Sequence, residues 1–215
     1  MSHPQIKVVL FDVGGVLVTS RPSARTVATV LGLDPDSREA VGLVDRAMWF
    51  HRDAYDAGGT DREFWDSVAG DCGLPELDDA TIASLVSEDV SRSESPDPQT
   101  LALARELHGR GYRLGILSNA PVAIAVAIEH RPWADIFDTF TFSGTLGVCK
   151  PDRGIYRAAL DGVGEPAPSV LFVDDRQPNL RAAELIGMAT LTWRDAERGQ
   201  LDLADMGLLD SAEVA

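Results

Sequence analysis

Val8-Val9-Leu10-Phe11-Asp12-Val13-Gly14-Gly15-Val16-Leu17 is the stretch from which the fold is read. Four apolar residues run straight into a carboxylate, two glycines follow, and apolar residues resume. A short run of Val, Leu and Phe without polar alternation predicts a strand buried on both faces, as in a parallel sheet. Asp12 then stands at the carboxyl end of that strand, the edge at which ligands bind in open α/β sheets. Gly14 and Gly15 permit a sharp turn and a close approach of backbone to a ligand. A strand followed by a plain turn, with Asp12 as the turn former, accounts for the stretch equally well. The balance shifts because the pattern recurs: Arg113-Leu114-Gly115-Ile116-Leu117 runs into Ser118, and Val170-Leu171-Phe172-Val173 runs into Asp174-Asp175.

Between the first strand and the second the character of the chain changes. Apolar residues fall at helical spacing and predict helices over 24–33, 37–55, from Thr60 onward, and 79–90. Thr60 with Glu63 three residues later reads as a capping box. Residues 91–98, Ser-Arg-Ser-Glu-Ser-Pro-Asp-Pro, read as a polar linker. Beyond it helices over 99–108, 122–130, 152–160 and 178–186 alternate with strands over 113–117, 137–142, 170–173 and 189–192. Alternation of this kind implies a doubly wound parallel sheet covered on both faces. The expected organisation is an α/β core from residues 1–17 and 97–215, with a helical cap of residues 18–96 inserted over the strand ends.

Composition narrows the partners. The chain has 215 residues, 45% of them hydrophobic, with 34 Asp+Glu against 19 Lys+Arg and a net charge of -15. That balance argues against nucleic acid or an anionic membrane as partner. An anionic substrate would need local cations: Lys or Arg side chains, backbone N–H groups or a metal ion. Two distant cysteines, Cys72 and Cys149, without a secretory signal read as free thiols of a cytoplasmic protein. No apolar run reaches the roughly 20 residues of a membrane helix. A monomer or a homodimer is expected.

In a parallel sheet the ends Asp12, Ser118 and Asp174 share one edge and converge. Lys150, in the loop Gly147-Val148-Cys149-Lys150-Pro151-Asp152, adds an ammonium. Singly, Ser118 reads as a strand-end cap, Lys150 as a solvated loop lysine, and Asp174-Asp175 as caps of the next helix. Together, a nucleophilic carboxylate, a hydroxyl, an ammonium and a carboxylate pair suit phosphoryl transfer through an aspartyl-phosphate. An anionic nucleophile attacking an anionic phosphate needs charge neutralisation. A divalent metal held by Asp12 and Asp174 or Asp175, with Lys150 beside it, would supply it. All-oxygen ligands favour Mg²⁺.

Four motifs, Phe11-Asp12-Val13-Gly14-Gly15-Val16-Leu17, Leu117-Ser118-Asn119, Cys149-Lys150-Pro151-Asp152 and Phe172-Val173-Asp174-Asp175, occur in this order. By them the sequence resembles the haloacid dehalogenase (HAD) superfamily, in the branch with a helical cap after the first strand. The resemblance implies a Rossmann-like core and a hydrolase acting on a small phosphorylated metabolite. It implies Asp12 as nucleophile, Ser118 and Asn119 on the phosphoryl oxygens, and Lys150 paired with Asp12 and the phosphate. It also implies that Asp174, Asp175 and the Gly14 carbonyl are ligands of Mg²⁺.

One position departs from the pattern. Most phosphatases of the superfamily carry a general acid/base Asp two residues after the nucleophile, and here that residue is Gly14. Dehalogenases of the superfamily also lack that Asp, but need no metal and no paired Asp174 and Asp175. A haloacid-dehalogenase-type hydrolase and a non-catalytic phosphate-binding member therefore stand as alternatives. Trp49, His51 and Arg52 are the candidates for substrate preference in the cap, and His51 also for a substitute acid. Trp65 and Trp133 read as core.

Overall fold

The computed structural model describes residues 5–210. Five parallel strands, β1 (Val8–Phe11), β2 (Arg113–Ser118), β3 (Thr139–Phe142), β4 (Val170–Asp174) and β5 (Ala189–Thr192), form one sheet in the order β3-β2-β1-β4-β5. The apolar runs form strands because each side chain finds a helix on one face or the other. Val9, Phe11, Ile116 and Val173 pack with Leu103 and Leu107 of α5 (Pro98–Gly109), Ile124 and Ile128 of α6 (Val122–Glu129) and Leu203 of α10 (Ala196–Asp205). Val8, Leu10, Leu117 and Phe172 pack on the opposite face against Ile155 and Tyr156 of α8 (Arg153–Val163) and Leu180 of α9 (Gln177–Glu184). Each such side chain, fully removed from water, contributes about 1.5–3 kcal/mol.

Register places the site. Phe11 lies opposite Ile116 on β2 and Val173 on β4, so Asp12 comes level with Leu117 and Asp174. Ser118 is one residue further along its strand.

Between β1 and α5 lie α1 (Ala24–Val30), α2 (Arg38–Asp56), α3 (Asp61–Asp71) and α4 (Asp79–Ser91). They enclose a separate apolar cluster that includes Val27, Val44, Met48, Tyr55, Phe64, Trp65, Val68 and Leu85. Each has a side-chain N-cap, from Ser23, Ser37, Thr60 and Asp78, and at Thr60 the reciprocal Glu63 bond completes a capping box.

Three local expectations differ. The linker 91–98 carries local structure that its composition did not show: Ser91 closes α4, Arg92–Glu94 form a 3₁₀ turn, and Ser93 is buried. Trp133 Nε1 donates to the Ser93 carbonyl at 2.9 Å, Arg92 pairs with Asp89, and Glu94 pairs with Arg131 at the surface. The expected strand 137–142 begins only at Thr139, after a 3₁₀ turn at Pro132–Ile136, and a single turn, α7 (Ser143–Leu146), follows it. Finally, α10 extends the core past the last strand, capped by Asp195 and held by the buried Leu203. Among the described residues no helix is long and apolar enough to cross a membrane.

Candidate active site

Asp12 follows β1 directly and is buried. Its Oδ1 accepts from Ser118 Oγ at 2.6 Å and from the Val13 N–H at 2.7 Å, and lies 2.9 Å from Lys150 Nζ. Oδ2 accepts from no donor among the described residues, which leaves it as the oxygen with free lone pairs. Burial pushes the Asp12 carboxyl up to about 6, against the pull of the Lys150 charge and with that of Asp174.

Lys150 is as buried as Asp12. Besides Asp12 it reaches Asp174 Oδ2 at 2.7 Å and the Leu117 carbonyl at 3.0 Å, so its three N–H bonds are all directed at protein oxygens. The loop is pinned by Asn119, whose Nδ2 donates to the Lys150 carbonyl at 3.0 Å and whose Oδ1 accepts from the Lys150 N–H at 2.7 Å. The Asn119 amide is therefore committed to the loop. What this residue presents to a ligand is its backbone N–H, which, like that of Gly14, has no protein acceptor among the described residues. Ser118 has one hydroxyl proton, so it serves Asp12 or a phosphoryl oxygen, not both at once.

Asp174 is fully buried and saturated: Asn179 Nδ2 lies 3.1 and 3.0 Å from its two oxygens, and the Arg176 N–H donates to Oδ1 at 2.7 Å. Asn179 was not anticipated from the sequence, although its place in the first turn of the helix after Asp174-Asp175 was visible. Carboxylate oxygens of Asp12, Asp174 and Asp175 lie within 4.8 Å of one another. Against one ammonium this crowd leaves two uncompensated negative charges. The Asp175 carboxyl is raised, by burial first and the Asp174 charge second. The donor set, all oxygen and in excess of its local positive charge, fits a divalent cation. Asp175 has oxygens to give and Asp12 has Oδ2, whereas Oδ1 of Asp12 and the oxygens of Asp174 would have to release a protein donor.

The two glycines do different things. Gly15 has φ +79°, and a Cβ there would lie 2.5 Å from Asp175 Oδ2, so only glycine lets this turn pass against that carboxylate. Gly14 lies outside the left-handed region, and a Cβ there would meet nothing within 4 Å.

Over the strand ends is a cavity of about 80 Å³. The core lines it with Gly14, Ser118 and Asn119, and the inserted segment with Arg52, Asp89 and Arg92. Of the three side chains expected to set preference, Arg52 lines this cavity. Trp49, half exposed, borders an adjoining cleft with Met48 and Phe64 that shares Arg52 and Asp89 with this cavity. His51 pairs with Asp71 at 2.9 Å on a partly exposed face, which takes it away from the role of substitute acid. Asp89 and Arg92 were not foreseen, because an ion pair at the end of a polar-looking helix is indistinguishable in sequence from a solvated one.

The sequence matches the description "haloacid dehalogenase-like hydrolase" over residues 6–187. It is 27% identical over 193 residues to the sesquiterpene phosphatase astK of Aspergillus oryzae, covering 88% of this chain and 91% of that one. It is 32% identical over 196 residues to the phosphoglycolate phosphatase of Rhodospirillum rubrum, covering 85% and 77%. Among solved structures, a HAD family enzyme of Bacteroides thetaiotaomicron in complex with magnesium and inorganic phosphate superposes with a TM-score of 0.65 at 20% identity, covering 88% and 94%.

Proposed function

The chain belongs to the haloacid dehalogenase-like hydrolase family, and from that premise we propose a Mg²⁺-dependent phosphatase that hydrolyses a small phosphorylated metabolite through an aspartyl-phosphate on Asp12. The observation that carries the reading is the cluster of Asp12, Asp174 and Asp175 around the single ammonium of Lys150. A hydrolytic dehalogenase, which needs no metal, has no use for the crowded Asp175.

The residues have separable tasks. Asp12 Oδ2 attacks phosphorus while the bond to the leaving oxygen breaks. Lys150 holds Oδ1 and fixes the direction of attack, and Ser118 turns its one hydroxyl proton from Oδ1 to the phosphoryl group, which would leave Oδ1 a lone pair for the metal. The unpaired N–H groups of Gly14 and Asn119 suit the equatorial phosphoryl oxygens. Water then cleaves the aspartyl-phosphate, returning the Asp12 carboxylate and releasing inorganic phosphate. Mg²⁺, held by Asp12, Asp175, the Gly14 carbonyl and Asp174, would neutralise charge on the phosphoryl group. Residues 18–96 act as a cap on the core of residues 1–17 and 97–215, bringing Arg52, Asp89 and Arg92 over the strand ends.

The test is phosphate release from a panel of short phosphomonoesters, with and without a chelator, for wild type and Asp12→Asn. Turnover should need Mg²⁺ and vanish in the variant. Chelator-resistant turnover, halide release from 2-haloacids, or an active variant would each overturn the reading.

A further inference from the structure

Ser143 follows β3 directly, as Asp12 follows β1, yet it is fully buried and does not line the cavity. Its hydroxyl joins two distant parts of the chain. Oγ donates to the Asp56 carbonyl at 2.6 Å and accepts from the Ala120 N–H at 3.0 Å. The Asp56 carbonyl is one of the last four of α2, groups left without partners inside a helix. The chain's own turn satisfies the other three: the N–H groups of Ala57, Gly58 and Gly59 donate to the carbonyls of Asp53, Tyr55 and Ala54. The fourth is met from the core, by Ser143. On the other side, Ala120 follows Asn119, the residue that presents a free N–H to the site. The Gly144 N–H donates to the Ala120 carbonyl at 3.0 Å, so residues 143 and 144 hold Ala120 at both ends. The backbones are closely apposed: a Cβ at Gly144 would lie 2.6 Å from the Ala120 oxygen, and one at Gly58 3.1 Å from the Gly144 oxygen.

Resting on the phosphatase reading, we propose that Ser143 is a positioning residue that couples the seating of the inserted helices to the placement of the Asn119 N–H on the phosphoryl group. The Asn119 side chain is tied to the Lys150 backbone and the peptide after Asn119 to Ser143, so Asn119 is fixed from both sides. The same hydroxyl fixes the end of α2, the helix that carries Arg52 to the cavity. A hydroxyl that donates is a better acceptor, so each of its two bonds strengthens the other. Both are buried, where a lost partner leaves a polar group unmet. A ligand that steadies the Asn119 segment therefore steadies the end of α2, and the coupling is reciprocal.

Hydrogen exchange of the full chain, read by mass spectrometry with and without Mg²⁺ and inorganic phosphate, measures this coupling. In wild type, phosphate should slow exchange at 118–122, where it binds, and also at 56–60, by about fivefold, the size of one net hydrogen bond. In Ser143→Ala the effect at 118–122 should persist while that at 56–60 falls below about twofold. Ser143→Cys, which keeps a weaker donor and acceptor, should recover part of it. If the alanine variant does not fold, the partial loss in the cysteine variant carries the test. A side chain that only packs would raise exchange with and without phosphate and leave the phosphate effect at 56–60 unchanged. That result, or no effect at 56–60 in wild type when 118–122 is protected, overturns the assignment. Protection of both segments without hydrolysis of any phosphomonoester keeps Ser143 in its role and removes the phosphatase reading instead.

Discussion

Gly14→Asp restores a carboxylate where most phosphatases of the superfamily keep their general acid, and the structure says what this should do. The backbone there is outside the left-handed region and a Cβ meets nothing within 4 Å, so the substitution fits without strain. Among the described residues no free acid competes for the role in the cavity: Asp89, the carboxylate in its lining, is clamped between Arg52 and Arg92, and His51 is tied to Asp71. The new carboxyl would stand near Asp12, Asp174 and Asp175, whose charges favour its protonated form, the form an acid needs. General acid catalysis contributes about 10²–10⁴-fold, equivalent to roughly 3–5 kcal/mol of barrier, and chiefly when the leaving group is a poor one. Ethyl phosphate must expel ethoxide and needs the proton; acetyl phosphate expels acetate and does not. The two are similar in size, so the cavity does not distinguish them sterically. Wild type should therefore prefer the acyl phosphate, and in Gly14→Asp the kcat/KM for ethyl phosphate relative to acetyl phosphate should rise by about 10²-fold. The assay is phosphate release from each, corrected for spontaneous hydrolysis of acetyl phosphate. An unchanged ratio would refute the reasoning, since it would mean that another group already delivers the proton.

Gly15→Ala should cost about 1–3 kcal/mol of stability, from a positive φ and a collision with Asp175, and weaken Mg²⁺ binding; thermal unfolding with and without Mg²⁺ measures both, and an unchanged metal affinity would detach Asp175 from the metal. Lys150→Met leaves Asp12 and Asp174 buried without their shared cation and should lower metal-free stability by about 3–5 kcal/mol, with part recovered on adding Mg²⁺; chemical denaturation showing less than about 1 kcal/mol would contradict the buried pairing. Because the metal-free Asp12 carboxyl titrates near 6, protons should compete with Mg²⁺ below that pH, weakening binding by up to about tenfold per unit, with no change above it; calorimetry down to pH 5 tests this, and a flat profile would refute it. The same raised value means that Asp12 favours the metal-free folded state most below 3.8, its ordinary pKa, a benefit lost as pH rises through 6.

The strands and their functional ends were legible because their signal is local. An uninterrupted apolar run followed by a polar residue marks a buried strand and its carboxyl end wherever it occurs, and three such ends in a parallel sheet have little choice but to meet. Thr60 and Glu63 likewise announced their capping box within four residues. Residues 91–98 do join the inserted helices to α5 as the polar composition suggested, but the 3₁₀ turn at Arg92–Glu94 and the burial of Ser93 depend on partners distant in sequence. Helix α10 went unread although Asp195 caps it, since it lies beyond the last recognisable motif.

By itself, the sequence determined the parallel α/β core, the inserted helices, and the presence of Asp12, Ser118, Asp174 and Asp175 on one edge, because each follows from chain-local apolar periodicity and strand polarity, whereas Lys150, in a loop, was tied to them only by the resemblance. Only the tertiary structure decided which oxygens of these residues remain free, that Asn119 and Asn179 spend their amides on Lys150 and Asp174, that Gly15 must be glycine while Gly14 need not be, and that Arg52 and Arg92 meet over Asp89. Those facts depend on side chains far apart in sequence competing for the same few hydrogen bonds in a space from which water is excluded. No residue's own neighbours along the chain carry that information.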